Sequence, residues 1–102
     1  MALAFKSTVV NFDPTQGRKQ REPGVATFSS NVRVADITVK GFHIGYTDSD
    51  HNVWEVEIDT DMVSIIGPTV NFAVDFLLRD SSGNIDDRYG GWVEVLVIAD
   101  LK

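Results

Sequence analysis

From Trp54 to Met62 the chain reads W-E-V-E-I-D-T-D-M. Extended, that run sets Glu55, Glu57, Asp59 and Asp61 on one side and Trp54, Val56, Ile58, Thr60 and Met62 on the other. A period of two belongs to a β-strand with one face on a core and one in water, whereas a helix would scatter both sets around its circumference. The segment therefore belongs to an antiparallel sheet with one wet side. Successive carboxylates on that side stand about 7 Å apart and repel one another, so cations, water or a partner strand must face them.

The rest of the chain repeats this lesson. Val70, Phe72, Val74, Phe76 and Leu78 alternate with Asn71, Ala73, Asp75, Leu77 and Arg79, which marks the strongest core strand. It follows a turn at Gly67 and Pro68, where glycine accepts turn geometry and proline cannot donate to a ladder. Val32 to Ile44 is rich in β-branched residues, with Ala35, Ile37, Val39 and Gly41 expected on one side and Asp36, Thr38 and Lys40 on the other. A first strand runs from Leu3 to about Val10. Trp92 to Leu101 is apolar on both faces, which suits a strand between two layers or at a subunit interface, with Val95 and Val97 as interface positions. The polar stretch from Asn11 to Gly24 holds Pro14, Gly17, Pro23 and Gly24 and reads as a long loop, a binding or assembly arm. Its Arg18, Lys19 and Arg21 read as a solvated loop before they read as an anion site. No helical period is sustained anywhere. The expectation is an all-β chain, a small antiparallel β-sandwich of five to six strands forming a single domain over residues 1–102.

Composition narrows the function. With 43% hydrophobic residues in a length of 102, the chain can pack one core but not a core plus an elaborate catalytic cleft. The formal charge of −6 argues against binding nucleic-acid phosphates, which needs an excess of Lys and Arg. The absence of cysteine excludes disulfides, thiolate metal sites and cysteine nucleophiles. No apolar run reaches the length of a membrane span, and Lys6, Ser7 and Thr8 interrupt the N-terminal apolar stretch, so no signal peptide and a soluble, cytoplasmic chain are expected.

Candidate chemistry is sparse. The histidines are His43 and His51, and neither stands in a context that marks a nucleophile and its base, so a non-enzyme is expected. Asp48, Asp50, Asn52 and Asp59 imitate the spacing of a calcium loop, but Val53 takes the place of the required glycine and the flanks are strands. The loop with Asp80, Ser82, Gly83, Asn84, Asp86 and Asp87 offers hard oxygen donors for calcium, or else a β-turn in which Asp and Asn bond their own backbone. No cofactor is expected otherwise. Shallow carbohydrate sites use an aromatic face and a few fixed polar groups. Tyr46, Trp54, Tyr89 and Trp92 lie near the same strand ends as Asp48, Asp50, Arg79, Asp80 and Asn84, although the tryptophans would equally serve as core residues.

The succession V-R-V-A-D-I-T-V-K-G-F, N-V-W-E-V-E-I, T-V-N-F-A-V-D-F-L-L-R-D and Y-G-G-W-V-E-V-L-V-I-A resembles the H-type lectin domain of snail agglutinins and discoidins over residues 25–101. The resemblance implies a six-stranded antiparallel sandwich assembled as homo-trimers or hexamers. It also implies binding of galactose or N-acetylgalactosamine-type sugars near protomer boundaries. In the family, an arginine on the strand matching Val53 to Ile58, an aromatic–histidine pair near the end of the next strand and an N-terminal acidic residue grip the sugar. Trp54 or Glu55 stands in the arginine's place here, Arg79 and Asp80 in that of the pair, and Asp13 matches the acidic contact. The ligand-binding set so implied is Asp13, Trp54, Arg79 and Asp80. The alternative is a structural or protein-interaction oligomer of the same fold without a sugar site.

Overall fold

Six strands carry the architecture: β1 (Ala2–Thr15), β2 (Gln20–Thr27), β3 (Val32–Tyr46), β4 (Val53–Ile66), β5 (Thr69–Asp80) and β6 (Tyr89–Leu101). The computed structural model describes residues 2–47, 52–81 and 87–102, and among them there is no helix. All pairing is antiparallel, in two three-stranded sheets. Sheet A has the order β1-β6-β3 and sheet B the order β2-β5-β4. The strands are long, so the sandwich is a rod of 50 × 18 × 17 Å. The expected small antiparallel sandwich is therefore the fold, with six strands.

Its core is the meeting of two alternating strands. From β5 come Val70, Phe72, Val74, Phe76 and Leu78, and from β6 come Tyr89, Val93, Val95, Val97, Ala99 and Leu101, all buried. Phe12 of β1 stacks on Phe76 with ring centroids 4.3 Å apart, and Phe76 lies 6.0 Å from Tyr89, so three rings join the sheets near one end. The Tyr89 hydroxyl donates toward the carbonyls of Arg18 at 2.6 Å and Phe76 at 3.1 Å, and burial raises its pKa. The turn at Gly67 has φ of 58°, a conformation open to glycine, and Val32 N–H donates to its carbonyl at 2.9 Å.

Three expectations change. Asn11 to Gly24 is not a long loop: β1 continues to Thr15 and β2 begins at Gln20, leaving a short connection. Pro23 does not break β2, because this is an edge strand, where proline is tolerated, and Gly24 lies where a Cβ would overlap the Phe72 ring. On β3, Ala35, Ile37 and Val39 do pack on the core, but a register shift between Val39 and Gly41 turns Gly41 to the other face. On β4 a second shift between Val53 and Glu55 takes Trp54 out of the alternation, and it is 70% exposed rather than part of the core.

Candidate functional site

The outer face of sheet B supplies cationic partners for three of the four carboxylates, Glu55, Glu57 and Asp61. Lys19 reaches Glu57 at 2.6 Å, and Arg21 binds both oxygens of Asp75 at 3.0 and 3.1 Å while its other terminal nitrogen meets Asp61 at 2.8 Å. Arg79 Nε lies 3.7 Å from Glu55 Oε1. The hydrogen bond to Glu57 raises the Lys19 pKa, and those to Asp61 and Asp75 raise that of Arg21. Two members of the basic cluster thus belong to a ladder of charges across three strands, spanning β2, β5 and β4. Lys19 lies in the short connection between β1 and β2, as expected of a loop residue, but Arg21 is on β2, a strand that its Pro and Gly conceal.

The strand directions place the last residues of β1, β3 and β5 and the first residues of β2, β4 and β6 at one end of the rod. Asp13, Trp54, Arg79 and Asp80 all lie toward that end, but on different surfaces. Arg79 points to the outer face of sheet B beside Glu55, whereas Asp80 follows the core phase of Phe76 and Leu78 and is buried. Adjacent residues of one strand cannot both line one face. Asp13 instead borders a cavity of about 370 Å³ with Thr15, Arg18, Gln20 and Glu22 at the β1–β2 turn. Trp54 is exposed on β4. Asp48, Asp50, His51, Ser82, Gly83, Asn84 and Asp86, and with them half of the first calcium-like set and most of the second, lie outside the described residues.

Sheet A differs in kind. Its central strand, β6, turns Trp92, Glu94, Leu96, Ile98 and Asp100 outward, and its neighbours fall into rows across the sheet. The lower rows are Leu3–Asp100–Val34, Phe5–Ile98–Asp36 and Ser7–Leu96–Thr38. Leu3 is 69% exposed and Phe5 63%, with Val34 at 50%, and a shallow cavity of about 340 Å³ lies among Leu3, Val34, Ala35 and Ile98. Val95 and Val97, the expected interface positions, belong to the core, and Leu96 and Ile98 are the residues that face out. Above the apolar rows, Lys40 stretches across the sheet to the Ser7 hydroxyl at 3.2 Å and passes Glu94 at 3.9 Å. Beyond that bar the outer row is Asn11–Trp92–His43. Asp100 at the lower end is buried and pairs with Arg33 through one carboxylate oxygen.

The sequence alternation of β6 hinted at this face. What it lacked was the sheet order that brings Leu3, Phe5 and Val34 alongside. Compared with known protein families, with curated proteins and with solved structures, the chain shows no match.

Proposed function

We propose that this chain is a non-enzymatic recognition module that works as a homo-oligomer and binds carbohydrate at its turn-bearing end. The observation that carries the reading is the one-sided outer surface of sheet A. Leu3, Phe5, Val34, Leu96 and Ile98 make an apolar patch on sheet A, while ion pairs cross the outer face of sheet B, whose β4 also exposes Trp54, Val63 and Ile66. Contiguous exposed apolar surface of this kind marks an interaction site, and a second copy of the chain is a partner always at hand. The resemblance to H-type lectins supports both the assembly and the sugar, and weak single sites gain avidity when several protomers present them together.

The test has two parts. Light scattering of the purified chain should give a mass above that of one protomer, and Phe5→Asp should give a smaller, still cooperatively melting species. Phe5 is mostly exposed within its protomer, so a monomeric wild type would refute the assembly. A glycan array should then show selective binding, and silence across it would favour a protein-interaction module. One observation speaks for that second reading: Arg79 is engaged by Glu55 and faces away from Asp80, so this pair does not form the family's grip.

A further inference from the structure

The upper half of the outer face of sheet A holds groups that neither the apolar patch nor the charge ladder uses. Trp92 is 40% exposed, and the His43 ring lies beside it at 6.3 Å between centroids and 28° between planes. The two rings are stacked, and both residues are exposed on this face. Asn11 is Trp92's register partner on the other side, so an amide, an indole and an imidazole follow one another across three strands. At the turn end of this row opens a cavity of about 270 Å³, lined by Pro14, His43, Thr47, Gly45, Gly90 and Gly91.

The glycines there have two different origins. Gly90 and Gly91 are packing requirements, since a Cβ on Gly90 would come within 2.8 Å of the Phe12 carbonyl oxygen and one on Gly91 would overlap that of His43. Gly45 has no such reason. Nothing lies within 4 Å of where its Cβ would stand, and its backbone is not in the left-handed region. Glycine weakens a strand, and a β-branched residue would fit this penultimate position of β3 without a clash. A side chain there would fill the cavity beside His43.

We infer that this cleft, together with the adjoining Trp92 and Asn11, is a monosaccharide subsite, in which one pyranose ring lies against the exposed Trp92–His43 pair and its hydroxyls meet Asn11, His43, Thr47 and the main chain exposed at the glycines. The inference rests on the carbohydrate reading above and gives it a place. The chemistry selects a neutral polyhydroxylated ring. Lys40 and Glu94, below the row, stand 3.9 Å apart and offset one another, and no charged side chain lines the cavity. The mixture of aromatic faces with scattered donors and acceptors is unsuited to a lipid chain. The volume lies just under the lower end of the range for small-molecule sites, about 300 Å³, which suits a single ring. Lys40 separates the cleft from the apolar patch, so self-association through Leu3, Phe5 and Ile98 leaves it at the margin of the interface.

Calorimetric titration of the full chain with methyl hexopyranosides and N-acetylhexosamines tests the assignment. Trp92→Ala should weaken the sugar that binds by about tenfold, the loss of one aromatic wall. Gly45→Val should weaken it at least as much by filling the cleft, with unchanged assembled mass and an unchanged or higher melting temperature. If the wild type binds a sugar and both variants bind it equally well, the subsite is wrong and the carbohydrate reading survives. If the wild type binds none of these sugars and no glycan on an array, both fall together. Should Gly45→Val alter the assembly, Asn11→Ala and Trp92→Ala decide: full binding by both overturns the placement.

Discussion

Replacing Tyr89 by Phe removes one oxygen from the point where the sheets are tied together. The hydroxyl is closest to the Arg18 carbonyl, at 2.6 Å, with the Phe76 carbonyl at 3.1 Å, and one O–H serves one of them fully. The ring itself stays packed against Phe76, so no cavity larger than the oxygen opens. The loss is that of one partly buried hydrogen bond, with a carbonyl left short of a donor, about 1.5 kcal/mol. For a domain near 100 residues that lowers the melting temperature by about 6–12 °C. Calorimetry of both proteins at one concentration, chosen because assembly makes melting concentration-dependent, reads this directly. The pH dependence supplies a second check. Burial raises the folded pKa of Tyr89, so the unfolded state ionises first, near pH 10, and the stability that Tyr89 contributes is present below that pH and lost as pH rises toward the folded pKa. The gap between wild type and variant should therefore narrow above about pH 10. An equal melting temperature at neutral pH, or a gap that widens in alkali, would refute the role assigned to this hydroxyl.

The glycines of sheet A supply a paired test. Gly91→Ala forces a side chain into the His43 carbonyl at a φ of 152° and should cost about 3 kcal/mol in chemical denaturation, while Gly41→Ala, with nothing within 4 Å, should stay within about 0.5 kcal/mol of wild type. Equal effects would show that close strand approach is not what demands glycine at 91. On sheet B, Arg21→Gln leaves Asp61 and Asp75 without their shared cation. The urea midpoint should fall at low ionic strength, and the difference should shrink in about 1 M salt, where charges are screened beyond about 3 Å. A difference indifferent to salt would mean that Arg21 acts through packing.

Period-two alternation carried the fold. β5 and β4 announced themselves because one face of each is consistently different from the other, and β5 proved to be the buried centre of sheet B. Reading failed where a local signal contradicted a tertiary fact. Pro23 and Gly24 look like loop residues, yet an unpaired edge tolerates the first and the Phe72 ring demands the second. Bulges were equally invisible. One at Lys40 turned Gly41 outward and another beside Trp54 pushed that ring off the core, since an extra residue leaves no mark in hydrophobic pattern. The site suffered most. The resemblance sets Arg79 and Asp80 in the place of the family's pair, but they are neighbours on one strand, and in a strand that is the reason they part. The Asn11, Trp92 and His43 row comes from three strands remote in sequence, and sheet order alone reveals it.

Within sheet A no two neighbouring strands are consecutive in the chain, and each of β1 and β3 hydrogen-bonds along its length to β6. Ala2 is paired with Leu101. Only the β4–β5 connection at Gly67 and Pro68 is a hairpin within one sheet. Folding thus has one local starting point, in sheet B, while two long strands of sheet A wait for a third that is synthesised after them. Such a topology sets a high contact order, with folding in the range of milliseconds to seconds. During synthesis β1 and β3 present open edges, and Leu3 and Phe5 lie on one of them, until β6 leaves the ribosome and inserts between the two.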